Sequence, residues 1–176
     1  MVTRRLHIRD LCAEDLPAMT EMWTDPDVGR FMGTFGPRTA AQTAAWLDEV
    51  MCHNRAQPRL VHDTAIIVAE TGQCAGWIGC GPSDEPVGEY DFAYALRPAW
   101  RGYGYAREAL TAMLAFFLRD LAVSSVWGQC DAGNHRSAAV MRAAGMTPIE
   151  ASAEGDPRFR ADHSWRPPRS AAKRSA

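Results

Sequence analysis

"LRPAWRGYGYAREAL", residues 96–110, joins a run of alternating apolar residues to a stretch with helical periodicity. Three small residues, Gly102, Gly104 and Ala106, stand where the chain turns from one element into the next. Small residues let a backbone approach a ligand closely, and a helix start directs N–H groups and positive dipole charge at one point. The stretch therefore predicts a strand, a tight turn and a helix that together receive a phosphate-bearing ligand.

The spacing of this turn separates three classes of phosphate site. A P-loop requires a lysine directly after its last glycine, but the only lysine of the chain is Lys173. A dinucleotide fingerprint counted from Gly102 requires a small third residue, and that position holds Arg107. ATP hydrolysis by a P-loop is therefore excluded, and NAD is a poor match. From spacing alone, a turn whose glycines serve only packing stays open as the alternative.

Composition predicts one α/β domain without a general nucleic-acid or membrane partner. The chain has 176 residues, 47% of them hydrophobic, and a net charge of −2. That length and apolar content suit one buried core, and a nearly neutral surface draws neither nucleic acid nor a membrane. No apolar run approaches the roughly 20 residues that span a bilayer, and no apolar signal core follows "MVTRRLHIRD". We expect a cytoplasmic protein.

The cysteines and histidines predict neither disulfides nor a metal site. Five cysteines are scattered without a C-x-x-C pair, and five histidines form no ligand cluster. Free buried thiols are the interpretation that we adopt. The cysteines are Cys12, Cys52, Cys74, Cys80 and Cys130.

Alternation and helical spacing predict the remaining elements. Strands are expected within residues 3–11, 64–70, 73–81, 89–96, 123–130, 146–150 and 158–165. Helices are expected from Glu14 to the stop signal "TDPDVG", after a capping box of Thr39 and Gln42, from Ala106 to Leu121, and after Asn134 up to Gly145. The strand "RFRADHSW" is an edge candidate that pairs across a homodimer or simply ends the sheet. The basic tail, residues 166–176, is expected to be disordered.

The turn and the segments around it resemble a known family. Arg101, Gly104 and Ala106 form R-x-x-G-x-A after "YALRP" and before "NHRSAAVMRAAGM". This arrangement resembles the GNAT superfamily of acyl-CoA-dependent N-acyltransferases. The segment "WTDPDVGRFMG" and the N-x-x-S pattern of Asn134 and Ser137 look like the RimJ/RimL-type branch. The resemblance covers about residues 4–165, so we expect one GNAT-like domain over residues 1–165.

The resemblance implies a fold and an acyl donor. The fold is a mixed, mostly antiparallel, twisted sheet of about six to seven strands, flanked by about four helices and splayed to receive acetyl-CoA. The pyrophosphate accepts N–H bonds from residues 101–106, with added charge from Arg101 or Arg107. The pantetheine arm pairs with backbone near residues 94–97 and faces Asn134. The implied binding set is Tyr94, Leu96, Arg97, Arg101, Gly102, Tyr103, Gly104, Tyr105, Ala106, Arg107 and Asn134.

The resemblance also implies catalytic roles. A backbone N–H near Leu96 serves the oxyanion, and Asp91 or Glu89 takes the ammonium proton directly or through water. Many GNAT proteins carry a tyrosine seven positions after the asparagine, but that position here is Met141. Ser137 is the substitute donor for the departing thiolate, with a plain helix-capping role as its alternative.

The acceptor is expected to be a primary amine, either a protein N-terminus or a small molecule. An acidic stretch with Asp84 and Glu85 precedes the carboxylates named above and would attract a cationic amine. Trp23, Phe31 and Phe35 are entrance candidates, with core packing as the alternative. The competing hypothesis is a non-catalytic CoA-binding module, motivated by Met141.

Overall fold

Seven strands form one open sheet in the part of the chain that the computed structural model describes, residues 1–32, 36, 39–84 and 89–168. The strands are β1 (Leu6–Asp10), β2 (His62–Val68), β3 (Cys74–Pro82), β4 (Tyr90–Leu96), β5 (Ser125–Gln129), β6 (Thr147–Ile149) and β7 (Arg158–Asp162). Their order is β1-β2-β3-β4-β5-β7-β6. All neighbours pair antiparallel except β4 and β5, which run parallel. This confirms the mixed, mostly antiparallel sheet of the predicted α/β class.

Five α-helices accompany the sheet within the described residues. They are α1 (Leu16–Trp23), α2 (Pro26–Phe31), α3 (Ala40–His53), α4 (Tyr105–Ala115) and α5 (His135–Ala143). The predicted capping box begins α3: Thr39 Oγ1 accepts from Gln42 N–H at 3.2 Å, and Gln42 Oε1 accepts from Thr39 N–H at 3.1 Å. These two bonds satisfy backbone donors that a helix start leaves free.

Both faces of the sheet are apolar and each is covered by its own helices. One core joins residues of α4 and α5, such as Leu110 and Met141, to Ile66 and Ile78 on the sheet. The other joins residues of α1 and α3 to the opposite sheet face. Alternation along β4 divides its side chains between the two cores, as the sequence predicted, with Tyr90, Phe92, Tyr94 and Leu96 on the first and Ala93 and Ala95 on the second.

Two sequence predictions about the elements are wrong, and one helix was not predicted. "TDPDVG" does end α1, as the sequence predicted, but it also begins α2, because Asp25 Oδ1 accepts from Asp27 N–H at 2.7 Å and Pro26 suits a first helical turn. The predicted helix from Ala106 to Leu121 does not keep its apolar stripe to the end, because residues 116–120 form a π-helical turn and Leu121 is 43% exposed. Finally, "RFRADHSW" is no edge strand, because β7 lies between β5 and β6.

Candidate functional site

Strands β4 and β5 separate after one short paired segment. They pair only at Tyr90–Val126 and Asp91–Trp127. Beyond Asp91, β4 stays with β3, whereas β5 stays with β7. The separation leaves a cleft of about 260 Å³ that is lined by β4, the turn before α4, the first residues of α5, and α2. Residues from both sheet faces line it, so the cleft passes through the sheet where the parallel ladder stops.

The parted edge of β4 offers backbone groups to the cleft. The N–H of Arg97 donates to Ala75 C=O on β3 at 2.9 Å. Because hydrogen-bonding direction alternates along an antiparallel strand, Ala93 and Ala95 also turn their backbone toward β3. The N–H and C=O groups of residues 92, 94 and 96 therefore face the cleft, where an extended ligand can pair with them as a further strand would.

The glycine turn has the geometry that the sequence predicted. Gly102 and Gly104 have φ of +84° and +80°, a conformation that favours glycine. A Cβ added at Gly102 would meet nothing within 4 Å, so the backbone there is open to a ligand. Gly102 and Ala106 line the cleft, and α4 begins between them at Tyr105. The positive end of α4 therefore lies beside the cleft.

A pair of hydroxyl groups lies on the wall formed by β4 and α5. Tyr94 Oη and Ser137 Oγ are 3.0 Å apart, and both residues line the cleft. Burial raises the pKa of Tyr94 to about 12, although its hydrogen bond with Ser137 acts in the opposite direction. Asn134 caps α5 by accepting from Ser137 N–H at 3.1 Å. Met141 lies deeper, 1% exposed in the core.

The two candidate base carboxylates differ in their partners. Glu89 forms an ion pair with Arg160 at 2.8 Å. Asp91 has no ion-pair partner among the described residues; burial raises the pKa of Asp91 above its ordinary value, the charge of Asp84 adds to this, and the Ser83 hydroxyl acts in the opposite direction. Asp91 lies on the same side of β4 as Ala93 and Ala95, which line the cleft, but it is not a lining residue itself. Of the two, Asp91 is the carboxylate whose charge no cation of the described residues neutralises.

Comparison with known proteins identifies the family. The Acetyltransferase (GNAT) domain model matches residues 5–147. The chain belongs to the GNAT acetyltransferase family. The uncharacterized N-acetyltransferase p20 of Bacillus licheniformis is 25% identical over 134 residues, 76% of this chain and 74% of that protein.

Solved structures share the GNAT fold. The spermidine N-acetyltransferase of Vibrio cholerae, in complex with CoA and spermine, superposes with a TM-score of 0.76 at 13% identity, over 93% of this chain and 98% of its own. Mycobacterium smegmatis RimJ, in complex with CoA-disulfide, gives a TM-score of 0.74 at 13% identity, over 89% and 81% of the two chains. At these identities the likeness establishes the fold alone.

The predicted binding residues fall into two groups in this GNAT chain. Those that line the cleft are Tyr94, Leu96, Arg101, Gly102, Ala106, Asn134 and, among the catalytic candidates, Ser137. Those that the structure places outside the lining are Arg97, Tyr103, Gly104, Tyr105, Arg107, Asp91 and Glu89. Arg97 binds Glu21 and the C=O of Cys74 on the other side of β4. Tyr103 is 61% exposed and stacks on Tyr105.

Arg101 has a different neighbourhood from the one expected. Its guanidinium donates to Asp25 at 2.7 Å and Asp27 at 3.4 Å, at the start of α2, while its Nε donates to Leu96 C=O at 3.1 Å. Two carboxylates therefore already neutralise the Arg101 guanidinium, whose charge was expected to contact a pyrophosphate. Arg107 forms no ion pair within the described part of the chain. It remains the better candidate to add positive charge at the turn.

The sequence analysis missed two further residues of the site, one that only the fold brings near and one that is adjacent in sequence to Ser137. Arg5 donates to Tyr103 C=O at 2.9 Å and to Glu108 at 2.7 Å, so it anchors the turn to β1. Arg136 lines the cleft at the start of α5, one residue before Ser137. Its place inside N-x-x-S was the signal that could have identified it.

Some expectations concern other positions. Trp23 is 1% exposed and belongs to the core, so it does not line an entrance, whereas Phe31 lines the cleft. Phe35, Glu85 and residues 169–176 of the tail lie outside the described residues. Among residues 1–32, 36, 39–84 and 89–168, no helix is long and apolar enough to cross a membrane, and no group of three His, Cys, Asp or Glu could hold a metal ion.

Proposed function

We propose that this chain transfers an acetyl group from acetyl-CoA to a primary amine by direct attack in a ternary complex. The observation that carries the proposal is the cleft at the parting of β4 and β5, into which the free edge of β4, the glycine turn and the start of α5 all face. Acetyl-CoA has an extended amide-containing arm and a pyrophosphate. The strand edge suits the arm, and the open backbone at Gly102 beside the α4 start suits the pyrophosphate.

Asp91 is the general base of this proposal. An amine attacks only after its ammonium form has lost a proton, and an unpaired carboxylate with a raised pKa accepts that proton more readily than an ion-paired one. Glu89 already neutralises Arg160. Asp91 takes the proton directly or through one water while the amine nitrogen attacks the thioester carbonyl from the Ala93 side of the sheet.

The cleft wall serves the other two requirements of the reaction. The N–H of Leu96 faces the cleft and donates to the oxygen on which negative charge develops. When the carbon–sulfur bond breaks, Ser137 donates a hydrogen bond to the departing thiolate and Tyr94 supports the Ser137 hydroxyl across 3.0 Å. The proton taken by Asp91 passes to solvent, and the second proton, which the nitrogen loses as the amide forms, neutralises the thiolate, so CoA leaves as the thiol.

The acceptor is proposed as a protein N-terminal α-amine or a small-molecule amine. Asp91 and the neighbouring Asp84 place negative charge on the acceptor side, which favours a cationic amine before deprotonation. The same proposal includes two further points. Residues 1–165 act as one domain, and the protein lies in the cytoplasm. A non-catalytic CoA-binding module is the second candidate, because buried Met141 occupies the position of the family tyrosine.

Two measurements test the proposal in sequence. Acetyl-CoA at about 100 times its Kd is expected to add about 2.7 kcal/mol to the free energy of unfolding and to raise Tm by about 5 to 10 °C, whereas NADH and ATP are expected to have no effect. CoA release is then followed with spermine and with a short peptide bearing a free N-terminus. Acetyl-CoA binding without amine-dependent CoA release would support the non-catalytic module, and no stabilisation would overturn both candidates.

Asp91→Asn tests the base. We expect CoA release near neutral pH to fall by about 100-fold or more, within the usual range for removal of a general base, with unchanged acetyl-CoA affinity. Asp162→Asn, a change of a half-buried carboxylate on β7 outside the cleft lining, is the matched control and should retain the full rate. A full rate in Asp91→Asn from acidic to alkaline pH would remove Asp91 from the mechanism.

A further inference from the structure

The Arg101 side chain connects three parts of the molecule. Its Nη2 donates to Asp25 Oδ2 at 2.7 Å and its Nη1 donates to Asp27 Oδ2 at 3.4 Å, both at the start of α2. Its Nε donates at 3.1 Å to the C=O of Leu96, the last residue of β4. Its backbone leads directly into the glycine turn at Gly102. One guanidinium therefore joins α2, the end of β4 and the turn.

Helix α2 is short and depends on contacts outside itself. It has only six residues, and a helix of that length is marginal in water without tertiary contacts. Asp25 serves it twice, because Oδ1 caps the helix by accepting from Asp27 N–H at 2.7 Å while Oδ2 accepts from Arg101. The Asp25 side chain is 10% exposed and that of Arg101 28%, so solvent screens this pair less than an exposed pair. The pair therefore helps to fix the place of α2.

Helix α2 forms the wall of the cleft on the side where the amine is proposed to attack. Val28 packs with Ala95 and with α1 and α3 residues in the second core, on the sheet face opposite to α4 and α5. Phe31 and Met32 line the cleft together with Ala93 and Ala95. A displaced α2 would therefore change the space for the amine, whereas the backbone groups of β4 that face acetyl-CoA would keep their place.

We propose that Arg101 is a positioning residue that holds α2 as the acceptor wall of the cleft, and that it is not a ligand of the pyrophosphate. The inference rests on the proposed function, since the acceptor belongs to that reaction. A guanidinium that left for a pyrophosphate would deprive the mostly buried Asp25 carboxylate of its cation, which is costly. The open backbone at Gly102 and the start of α4 receive the pyrophosphate without it.

Asp25→Asn and Arg101→Gln test the proposal from the two ends of the ion pair. Asparagine keeps the oxygen that caps α2 but places an NH2 group against the guanidinium, so the bond to Arg101 is lost and the cap remains. In both variants the KM of the amine should rise by about tenfold, the loss that corresponds to one hydrogen bond of a charged group. Spermine and the N-terminal peptide serve as acceptors.

Two further kinetic results are expected from these variants. At saturating amine, kcat should stay within about threefold of wild type, because α2 contributes to amine binding while Asp91 and the edge of β4 are left in place. In the double variant the amine KM should rise no further than in the more affected single variant, since both changes break the same pair. Additive effects of the two changes would contradict an action of Arg101 through Asp25.

The Kd of acetyl-CoA separates positioning from direct binding of the phosphates. It should stay within about threefold of wild type in both variants, the usual range for a substitution outside a binding site. If Arg101 instead bound the pyrophosphate, Asp25→Asn would release the guanidinium and tighten acetyl-CoA binding, whereas Arg101→Gln would weaken it. Opposite changes of this kind would overturn the proposal.

Asp15→Asn is the matched control for lost stability. It also takes a carboxylate from a partly buried arginine pair, that with Arg9, but at the end of α1 opposite to α2. It should leave the amine KM and the acetyl-CoA Kd as they are in wild type. A rise in amine KM equal to that of Asp25→Asn would attribute the effect to general loosening of the fold and would count against Arg101 as a positioning residue.

Amide hydrogen exchange of α2 tests the role of Arg101 without any acceptor. Exchange in this helix should be faster by about tenfold in Asp25→Asn and Arg101→Gln than in wild type or Asp15→Asn. Unchanged exchange, or faster exchange with an unchanged amine KM, would overturn the proposal. If wild type releases no CoA with spermine or the N-terminal peptide, the proposed function falls, and the exchange of α2 alone decides whether Arg101 holds this helix.

Discussion

Asp15 and Asp91 are both withdrawn from solvent, but they have opposite surroundings. Asp15, 4% exposed at the start of α1, receives both arms of the Arg9 guanidinium, at 2.6 and 2.9 Å, and the N–H of Cys12 at 3.0 Å. Burial acts to raise the pKa of Asp15, but these bonds outweigh it and lower the pKa below its ordinary value. At Asp91 burial prevails and the pKa is raised.

The difference separates a structural carboxylate from a reactive one. Full pairing stabilises the charge of Asp15 and ties β1 to α1, which leaves Asp15 no capacity for another proton near neutral pH. Asp91 has a neutral serine hydroxyl nearby where Asp15 has a guanidinium, so the charged form of Asp91 is less stabilised than that of Asp15. Glu89 resembles Asp15 in having an arginine partner, although Arg160 is 39% exposed.

Asp15→Asn is expected to have the largest effect on stability. The change leaves Arg9 and Cys12 N–H without a charged acceptor, and we expect a loss of about 2 to 3 kcal/mol in the free energy of unfolding. Chemical unfolding followed by circular dichroism measures it. Asp10→Asn is the control, because Asp10 is 54% exposed in its pair with Arg59 and should contribute less than about 1 kcal/mol. Equal losses in the two variants would refute a special role for Asp15.

Local sequence patterns predicted most of the helices and strands but few of the contacts between them. The capping box of Thr39 and Gln42, the alternation in β4 and the glycine turn all depend on residues close in sequence, so their patterns were readable. Arg5 and Glu108 are 103 positions apart, and no short pattern predicts such a pair. The separation of β4 and β5 likewise follows from tertiary packing, and only the resemblance to a known family predicted it. The π-helical turn after α4 escaped because it differs from an α-helix by one residue in phase.

The pH dependence of stability should differ in sign between the two aspartates. The folded-state pKa of Asp15 is lowered, so its contribution is present above its unfolded pKa and is lost as the pH falls through its folded value. The folded-state pKa of Asp91 is raised, so its contribution is present below its unfolded pKa and is lost as the pH rises through its folded value.

Melting curves of wild type, Asp15→Asn and Asp91→Asn from acidic to neutral pH measure this. The deficit of Asp15→Asn should shrink toward acid. Asp91→Asn should gain on wild type as the pH rises, by less than about 1 kcal/mol. A parallel course of all three curves would contradict the assignment of paired and unpaired carboxylates.

Glu89→Gln should have the smallest effect and sharpens the comparison within the site. Its ion pair with Arg160 is partly exposed, so the free energy of unfolding should fall by no more than about 1 kcal/mol. CoA release with spermine or the N-terminal peptide should stay within about threefold of wild type, because a carboxylate that neutralises an arginine is a poor proton acceptor. A rate as low as that of Asp91→Asn would mean that the guanidinium leaves Glu89 during the reaction. The distinction between paired and reactive carboxylates would then fail for two residues that lie only two positions apart, Glu89 just before β4 and Asp91 within it.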